Sequence, residues 1–255
     1  MFPNQNDSLQ IMSHAVVGYP DLAENHRSIE GLVQSGIKLI ELQIPFTDPV
    51  ADGHTLVNAC YEALKQGGSV RAALDLAKVV CPLYPGVSFI MMSYLNPIYR
   101  FGLDKFFTEA AEAGIKGLIV PDWPVEQAEL SLPLLDQLGL APIMLISPNT
   151  PVDRMKRIAK ASRGMLYVVS RMGVTGKKAQ WDDSFDQYIE CIRGITDLPL
   201  AVGFGVRDID DLRALSGHSE VAAMGSQTIK WLEEFGSNGA ATRIQNLVEQ
   251  LKAVA

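Results

Sequence analysis

One carboxylate, Glu41, carries the most pointed chemistry in this chain. It lies in the stretch 37–56, IKLIELQIPFTDPVADGHTL. The stretch begins as a near-continuous apolar run, the pattern of a buried strand, and Glu41 sits inside that run. Burying a charge without partners is strongly unfavourable. An acid kept there either serves proton chemistry or is a structural acid held by backbone amides or an arginine. Pro45 ends the strand, and a loop rich in Asp and Pro follows, with Asp48, Pro49, Asp52 and Gly53.

A second group of residues has the composition of a phosphate cradle. Gly203-Phe204-Gly205 and Gly225-Ser226 each follow a short apolar run. Glycine lets backbone approach a ligand closely, and amides at a helix start face an anion. The alternative is a pair of tight turns that need glycine. Gly203 and Gly205 do not open a dinucleotide fingerprint, because Asp208 stands where its third glycine belongs. The loop with Gly173, Thr175 and Gly176 is polar and long enough to close over a ligand.

The elements that must position these residues follow a regular rhythm. Strands are predicted over 13–18, 37–44, 87–93, 116–120, 141–146, 165–169, 200–203 and 221–224. Helices fall between them, with Asp21, Ser69, Gly36, Gly114 and Gly139 as start and stop signals. The closing helix spans 240–254. Alternating strand–helix units imply a parallel sheet, and eight of them in 255 residues imply one α/β domain over 1–255, a closed (β/α)8 TIM barrel. A doubly wound open sheet is the alternative. In a barrel the active site lies at the C-terminal ends of the strands. That end gathers Glu41, Asp48 and Asp52, then Tyr94 and Asn96, then Asp122, then Tyr167, Ser170, Arg171 and Thr175, and finally the two glycine pairs.

Composition narrows the remaining classes. The chain is 47% hydrophobic and 20% charged with a net charge of -7, which argues against a nucleic-acid surface. Cys60, Cys81 and Cys191 are widely spaced, as in a reducing compartment. The four histidines, His14, His26, His54 and His218, show no metal-ligand spacing. The polar N-terminus lacks the features of a signal peptide, and no apolar run is long enough to span a bilayer. A cytoplasmic location is expected.

These residues resemble one family, the alpha subunit of tryptophan synthase. ELQIPFTDPVADGHT is similar to that family's signature around two catalytic carboxylates. SRMGVTG at 170–176 resembles its mobile loop, and GFG at 203–205 with GS at 225–226 resembles its phosphate-binding ends. The resemblance runs in order along almost the whole chain. It implies a (β/α)8 barrel that cleaves indole-3-glycerol phosphate to indole and glyceraldehyde 3-phosphate. No metal or cofactor is implied in this subunit, while a beta subunit carrying pyridoxal phosphate takes the indole within an alpha2beta2 assembly. By the same resemblance Glu41 and Asp52 are catalytic, with Tyr167 nearby. Thr175 bonds the aspartate when the loop carrying Arg171 closes, and Gly176, Gly203, Phe204, Gly205, Gly225 and Ser226 surround the phosphate. Leu56, Met92, Tyr94 and Phe204 are positioned to wall the indole ring. Pro45, Asp48 and Asn96 match the contact with the beta subunit.

The chain departs from the family pattern at Gln43, where glycine is usual, at His54, where proline is usual, and at His14, where an aromatic is usual. Tyr19 replaces an acidic residue. Strand alternation puts Gln43 on the same face as Glu41, where it either crowds the site or hydrogen-bonds the glutamate. A non-catalytic activator of the beta subunit, a stand-alone indole-releasing lyase and another phosphosugar barrel enzyme are the competing readings.

Overall fold

A computed structural model describes residues 2–170, 181–203 and 205–253. Its strand segments are β1 (Gln10–Val16), β2 (Leu39–Gln43), β3 (Ser88–Met92), β4 (Gly117–Ile119), β5 (Ala141–Ile143), β6 (Leu145–Ile146), β7 (Leu166–Val169), β8 (Leu200–Gly203) and β9 (Val221–Met224). All pair in parallel, in the order β5-β4-β3-β2-β1-β9-β8-β7-β6. The two ends of that order, β5 and β6, are one strand interrupted at Met144. Met144 accepts a hydrogen bond from Tyr167 N–H at 2.9 Å, and Pro142 accepts one from Arg163 N–H at 2.8 Å. The ring therefore runs on through the interruption, and the architecture is a nearly closed eight-unit barrel. Pro142 supplies no N–H to the ladder, which fits a break at this strand.

The helices wrap this ring because each buries one face. α1 (Leu22–Gln34) is capped by Asp21, whose carboxylate accepts from Glu24 N–H, and packs Ile29 and Leu32 inward. α2 (His54–Lys65) follows Gly53, its N-cap. α3 (Val70–Leu83) is capped by Ser69 and carries Pro82 in its last turn. α4 (Leu95–Phe101) is a helix that Asn96-Pro97 conceals in the sequence. Proline is tolerated in a first turn, where its missing N–H has no intrahelical acceptor. Asp122, in the loop after β4, caps this helix by accepting from Leu95 N–H at 2.8 Å.

α5 (Leu103–Glu112), α6 (Val125–Leu138), α7 (Val152–Ala161), α8 (Asp183–Arg193) and α9 (Ile209–Leu215) follow the predicted pattern closely. α10 (Ser226–Lys252) starts directly after β9 and is broken at Gly236, whose φ of 67° is left-handed. Strand alternation sorts the core into two layers. Ile40, Leu42, Phe89, Met91, Val168 and Val202 pack outward against helices. Met12, Leu39, Ile90, Ile119, Ile143, Met165, Ala201 and Val221 fill the barrel, with Phe2 packed against that inner cluster.

At the end of the barrel where β8 and β9 begin, a buried ion pair ties several elements together. The Glu220 side chain is 5% exposed and accepts from Arg193 Nη2 at 2.7 Å and from Leu200 N–H at 2.7 Å. It also accepts from Asn6 N–H at 3.2 Å. Glu220→Ala strands Arg193 and those amides. It is expected to lower unfolding free energy by about 3 kcal/mol, read from the urea midpoint.

Candidate active site

The barrel interior turns polar at the C-terminal end of β2. Leu39, Glu41 and Gln43 share the inward face of that strand, and parallel pairing sets His14 of β1 opposite Glu41. Glu41 is 7% exposed, His14 4% and Gln43 fully buried. His14 lies between the other two, with Nδ1 3.1 Å from Glu41 Oε2 and Nε2 2.7 Å from Gln43 Oε1. Gln43 Nε2 donates in turn to Asp52 Oδ2 at 2.7 Å. Gln43 thus reaches the aspartate and the histidine; of the two expectations for it, the bond to Glu41 is replaced by one to the His14 ring between them.

Asp52 is delivered by the loop between β2 and α2. Its N–H donates to Pro49 O at 2.9 Å, a tight turn that brings the carboxylate back over the barrel. Tyr94 Oη donates to Asp52 Oδ2 at 3.1 Å and accepts from Ala51 N–H at 3.1 Å. A run of polar contacts therefore links Glu41 to Asp52 through His14 and Gln43, and Tyr94 anchors its far end.

The electrostatics follow from enclosure. Burial pushes the Asp52 carboxyl up to about 6, with the charge of Glu41 adding to it, against the opposing pull of Gln43, His14 and Tyr94. Burial disfavours a charge on His14. The Glu41 carboxylate, the bonds to Glu41 and Gln43, and Asp52 beyond outweigh it, so the imidazole holds its proton above the usual range. Burial, then the charges of Glu41 and Asp52, raise the Tyr167 phenol well above its ordinary value, so its hydroxyl stays protonated.

Glu41, Asp52, Tyr167, Leu56, Met92, Gly205, Gly225 and Ser226 line one cavity, together with His14, Arg207 and Lys230. The first eight are residues that the sequence singled out. Gly225 is the residue before α10 and Ser226 its first, so the start of that helix opens on the cavity. Gly203 is not among the lining residues. A Cβ there would fall on the Tyr167 hydroxyl, so its glycine makes room for the tyrosine. Tyr94 is fully buried behind Asp52. Pro45 is buried against Gly68, while Asp48 and Asn96 are exposed. His54 is exposed on α2 with Asn58 Nδ2 3.2 Å away. Arg171, Thr175, Gly176 and Phe204 lie outside the described residues. Among those described, no group of three or more His, Cys, Asp and Glu is gathered so as to hold a metal ion, and no helix is long and apolar enough to cross a membrane.

Arg207 and Lys230 went unnoticed in the sequence. Their signals were Arg207 two residues past Gly205 and Lys230 one helical turn past Ser226, where an anion at the glycines would meet them.

A parallel barrel that opens two carboxylates onto a cavity also lined by cations and glycines defines a (β/α)8-barrel enzyme. Comparison with known proteins sharpens this class. The family described as Tryptophan synthase alpha chain matches residues 3–255. The tryptophan synthase alpha chain of Desulfotalea psychrophila is 39% identical over 243 residues, covering 95% of each chain. That of Neisseria meningitidis is 34% identical, covering 95% of this chain and 92% of its own. Among solved structures, Mycobacterium tuberculosis tryptophan synthase superposes with a TM-score of 0.89 at 29% identity, over 96% of this chain and 93% of that one. A structure of the tryptophan synthase a2b2 complex from Pyrococcus furiosus gives 0.86 at 29% identity, over 99% and 100%. This chain belongs to the tryptophan synthase alpha chain family.

The raised Asp52 carboxyl has a stability consequence. Its folded value exceeds its unfolded value near 3.8, so the folded state holds the proton longer, and ionising Asp52 costs stability as pH rises from about 4 to about 6. Asp52→Asn removes that cost. The variant is expected to be more stable than the parent by about 1–3 kcal/mol above pH 6, with the difference vanishing below pH 4 in denaturant titrations.

Proposed function

We propose that this chain cleaves indole-3-glycerol phosphate to indole and glyceraldehyde 3-phosphate by a retro-aldol step, with Glu41 and Asp52 as the acid–base pair. The observation that carries the reading is that both carboxylates line the same cavity as Gly205, Gly225 and Ser226. Carbon acid–base chemistry and an anion cradle thus share one cavity.

The chemistry divides between the two acids. Glu41 delivers a proton to indole C3, which makes an indolenine with positive charge near N1. Asp52, ionised above about pH 6, faces that charge and accepts the N1 hydrogen bond. The Glu41 carboxylate then takes the C3′ hydroxyl proton as the carbon–carbon bond breaks. The proton that left the acid is thereby replaced, and the site needs no net proton. Tyr167, held protonated, is a donor beside the pair. The phosphate is cradled by backbone at Gly205, Gly225 and Ser226, with Arg207 and Lys230 supplying counter-charge. Leu56 and Met92 wall the ring. Tyr94 positions Asp52. Gly203 acts by leaving space for Tyr167. For residues outside the described ones, the family resemblance supports Gly176 and Phe204 as phosphate-binding, Phe204 also as a wall for the ring, and Thr175, on the same loop as Arg171, as a partner of Asp52.

The chain works with a tryptophan synthase beta chain in an alpha2beta2 assembly, consistent with the complexes among its structural neighbours. Exposed Asp48 and Asn96, with Pro45, belong to that contact. Pyridoxal phosphate is the beta chain's cofactor, this chain uses none, and both act in the cytoplasm.

The test is direct. Purified chain is incubated with indole-3-glycerol phosphate, with and without a cognate beta chain, and indole or tryptophan is measured. Weak turnover alone and a large gain with the beta chain are expected; no turnover in either condition rejects the reading. Glu41→Gln and Asp52→Asn are each expected to lower kcat by at least about 10²-fold. Because Asp52 must be ionised, kcat/KM is expected to fall as pH drops through about 6, and a flat profile from pH 8 to 5 contradicts the role given to Asp52.

A further inference from the structure

His14 is a buried titratable group that the two-acid mechanism leaves idle. Hydrogen-bond bookkeeping gives it a defined state. Ala51 N–H donates to Tyr94 Oη, so the phenol proton points at Asp52 Oδ2. Gln43 places its Nε2 on the same carboxylate, and a carboxylate accepts, so this nitrogen must be the amide NH2 donor. The Gln43 carbonyl then faces His14 Nε2 at 2.7 Å, and a carbonyl can only accept. His14 Nε2 must therefore carry hydrogen. That leaves Nδ1, 3.1 Å from Glu41 Oε2, and the contact is favourable only if one proton lies between them. That proton sits on Nδ1 facing an ionised Glu41, or on Glu41 facing a neutral ring.

We propose that His14 is a positioning residue that shares with Glu41 the single proton delivered to the substrate, and that Gln43 fixes the ring's orientation and tautomer by tying it to Asp52. The proposal rests on the reading of Glu41 as the acid. When Glu41 gives its proton to indole C3, its Oε2 is left against the Nδ1 lone pair. Two acceptors in contact repel, which makes the carboxylate a stronger base at the step where it takes the hydroxyl proton. That proton refills the same contact, and the cycle balances with the ring's Nε2 hydrogen untouched throughout. The groups that bear on this proton are Glu41 on β2, Asp52 ahead of α2, Tyr167 on β7, Arg207 and Lys230, which line the same cavity, and Tyr19, which shares a second cavity with the ring. The nearest of them, Glu41 and Asp52, both hold the proton in place.

Two measurements test this. The first is 15N NMR of the histidine ring in the full-length chain, alone and with the beta chain. Nε2 is expected to stay protonated from pH 5 to 9, while Nδ1 titrates alkaline of 6.5 and loses that shift in Glu41→Gln. A ring whose Nε2 deprotonates first, or whose titration ignores Glu41→Gln, overturns the proposal whatever the enzyme's activity. The second is the pH profile of kcat and KM in the complex. His14→Phe keeps ring volume without nitrogens. It is expected to lower kcat at least about tenfold, leave KM within about threefold, and shift the alkaline limb. His14→Gln, which can still bridge Glu41 and Gln43, is expected to keep KM but not to restore the limb. Wild-type kcat and an unmoved profile in His14→Phe refute the shared proton. If instead Glu41→Gln retains full turnover while the ring titration behaves as expected, the lyase assignment of Glu41 fails and the proton-sharing pair stands.

Discussion

Two acids enclosed in the mouth of one barrel cannot both ionise cheaply unless each finds donors, and the top of this structure is arranged around that requirement. The layer beneath is apolar, with Met12, Leu39, Ile90, Ile119 and Ile143 filling the interior. Such a medium strengthens every charge–charge term above it and penalises any unpaired one. Asp52 meets the requirement with the Tyr94 hydroxyl and the Gln43 amide, and Glu41 meets it with His14. The donors are themselves linked, so the two acids are not independent sites. A change at Gln43 reaches Glu41 through the imidazole and Asp52 directly.

The β8 and β9 side of the cavity is built from different physics. Its lining includes Gly205 and Gly225, the start of α10, and two cations. Partial charges on amides and helix ends cost little to bury because they are neutral groups already. A net charge of -7 is therefore compatible with an anion site, since the local field and not the total decides what binds. The separation of proton chemistry at β1, β2 and the α2 turn from anion binding at β8 and β9 is a division by strand number. The barrel brings the two together only because β1 pairs with both β2 and β9.

Much of the architecture was legible in the chain because its signals are local. Asp21 and Ser69 cap helices where expected, and the runs at 200–203 and 221–224 are strands to the residue. The misreadings are also physical. Asn96-Pro97 reads as loop, yet proline fits a first helical turn once Asp122 caps it from another unit. The break between β5 and β6 leaves no local trace apart from Pro142. Gly203 has a reason to be glycine that composition did not show, because its neighbour in space is Tyr167, from a different strand.

The sequence by itself determined the unit count, the alternation that turns Glu41 and Gln43 to one face, and the motif that places the chain in its family. All of these depend on spacing along one segment. Only the tertiary structure decided what those side chains meet. The register that sets His14 against Glu41, the loop that brings Asp52 within reach of Gln43, and the phenol of Tyr94 behind it join residues from separate strands and turns. Their distances are set by how the ring closes. The direction of the hydrogen bonds, and so the place of the proton, follows from that three-dimensional order, because a donor is assigned by its neighbour and not by its position in the chain.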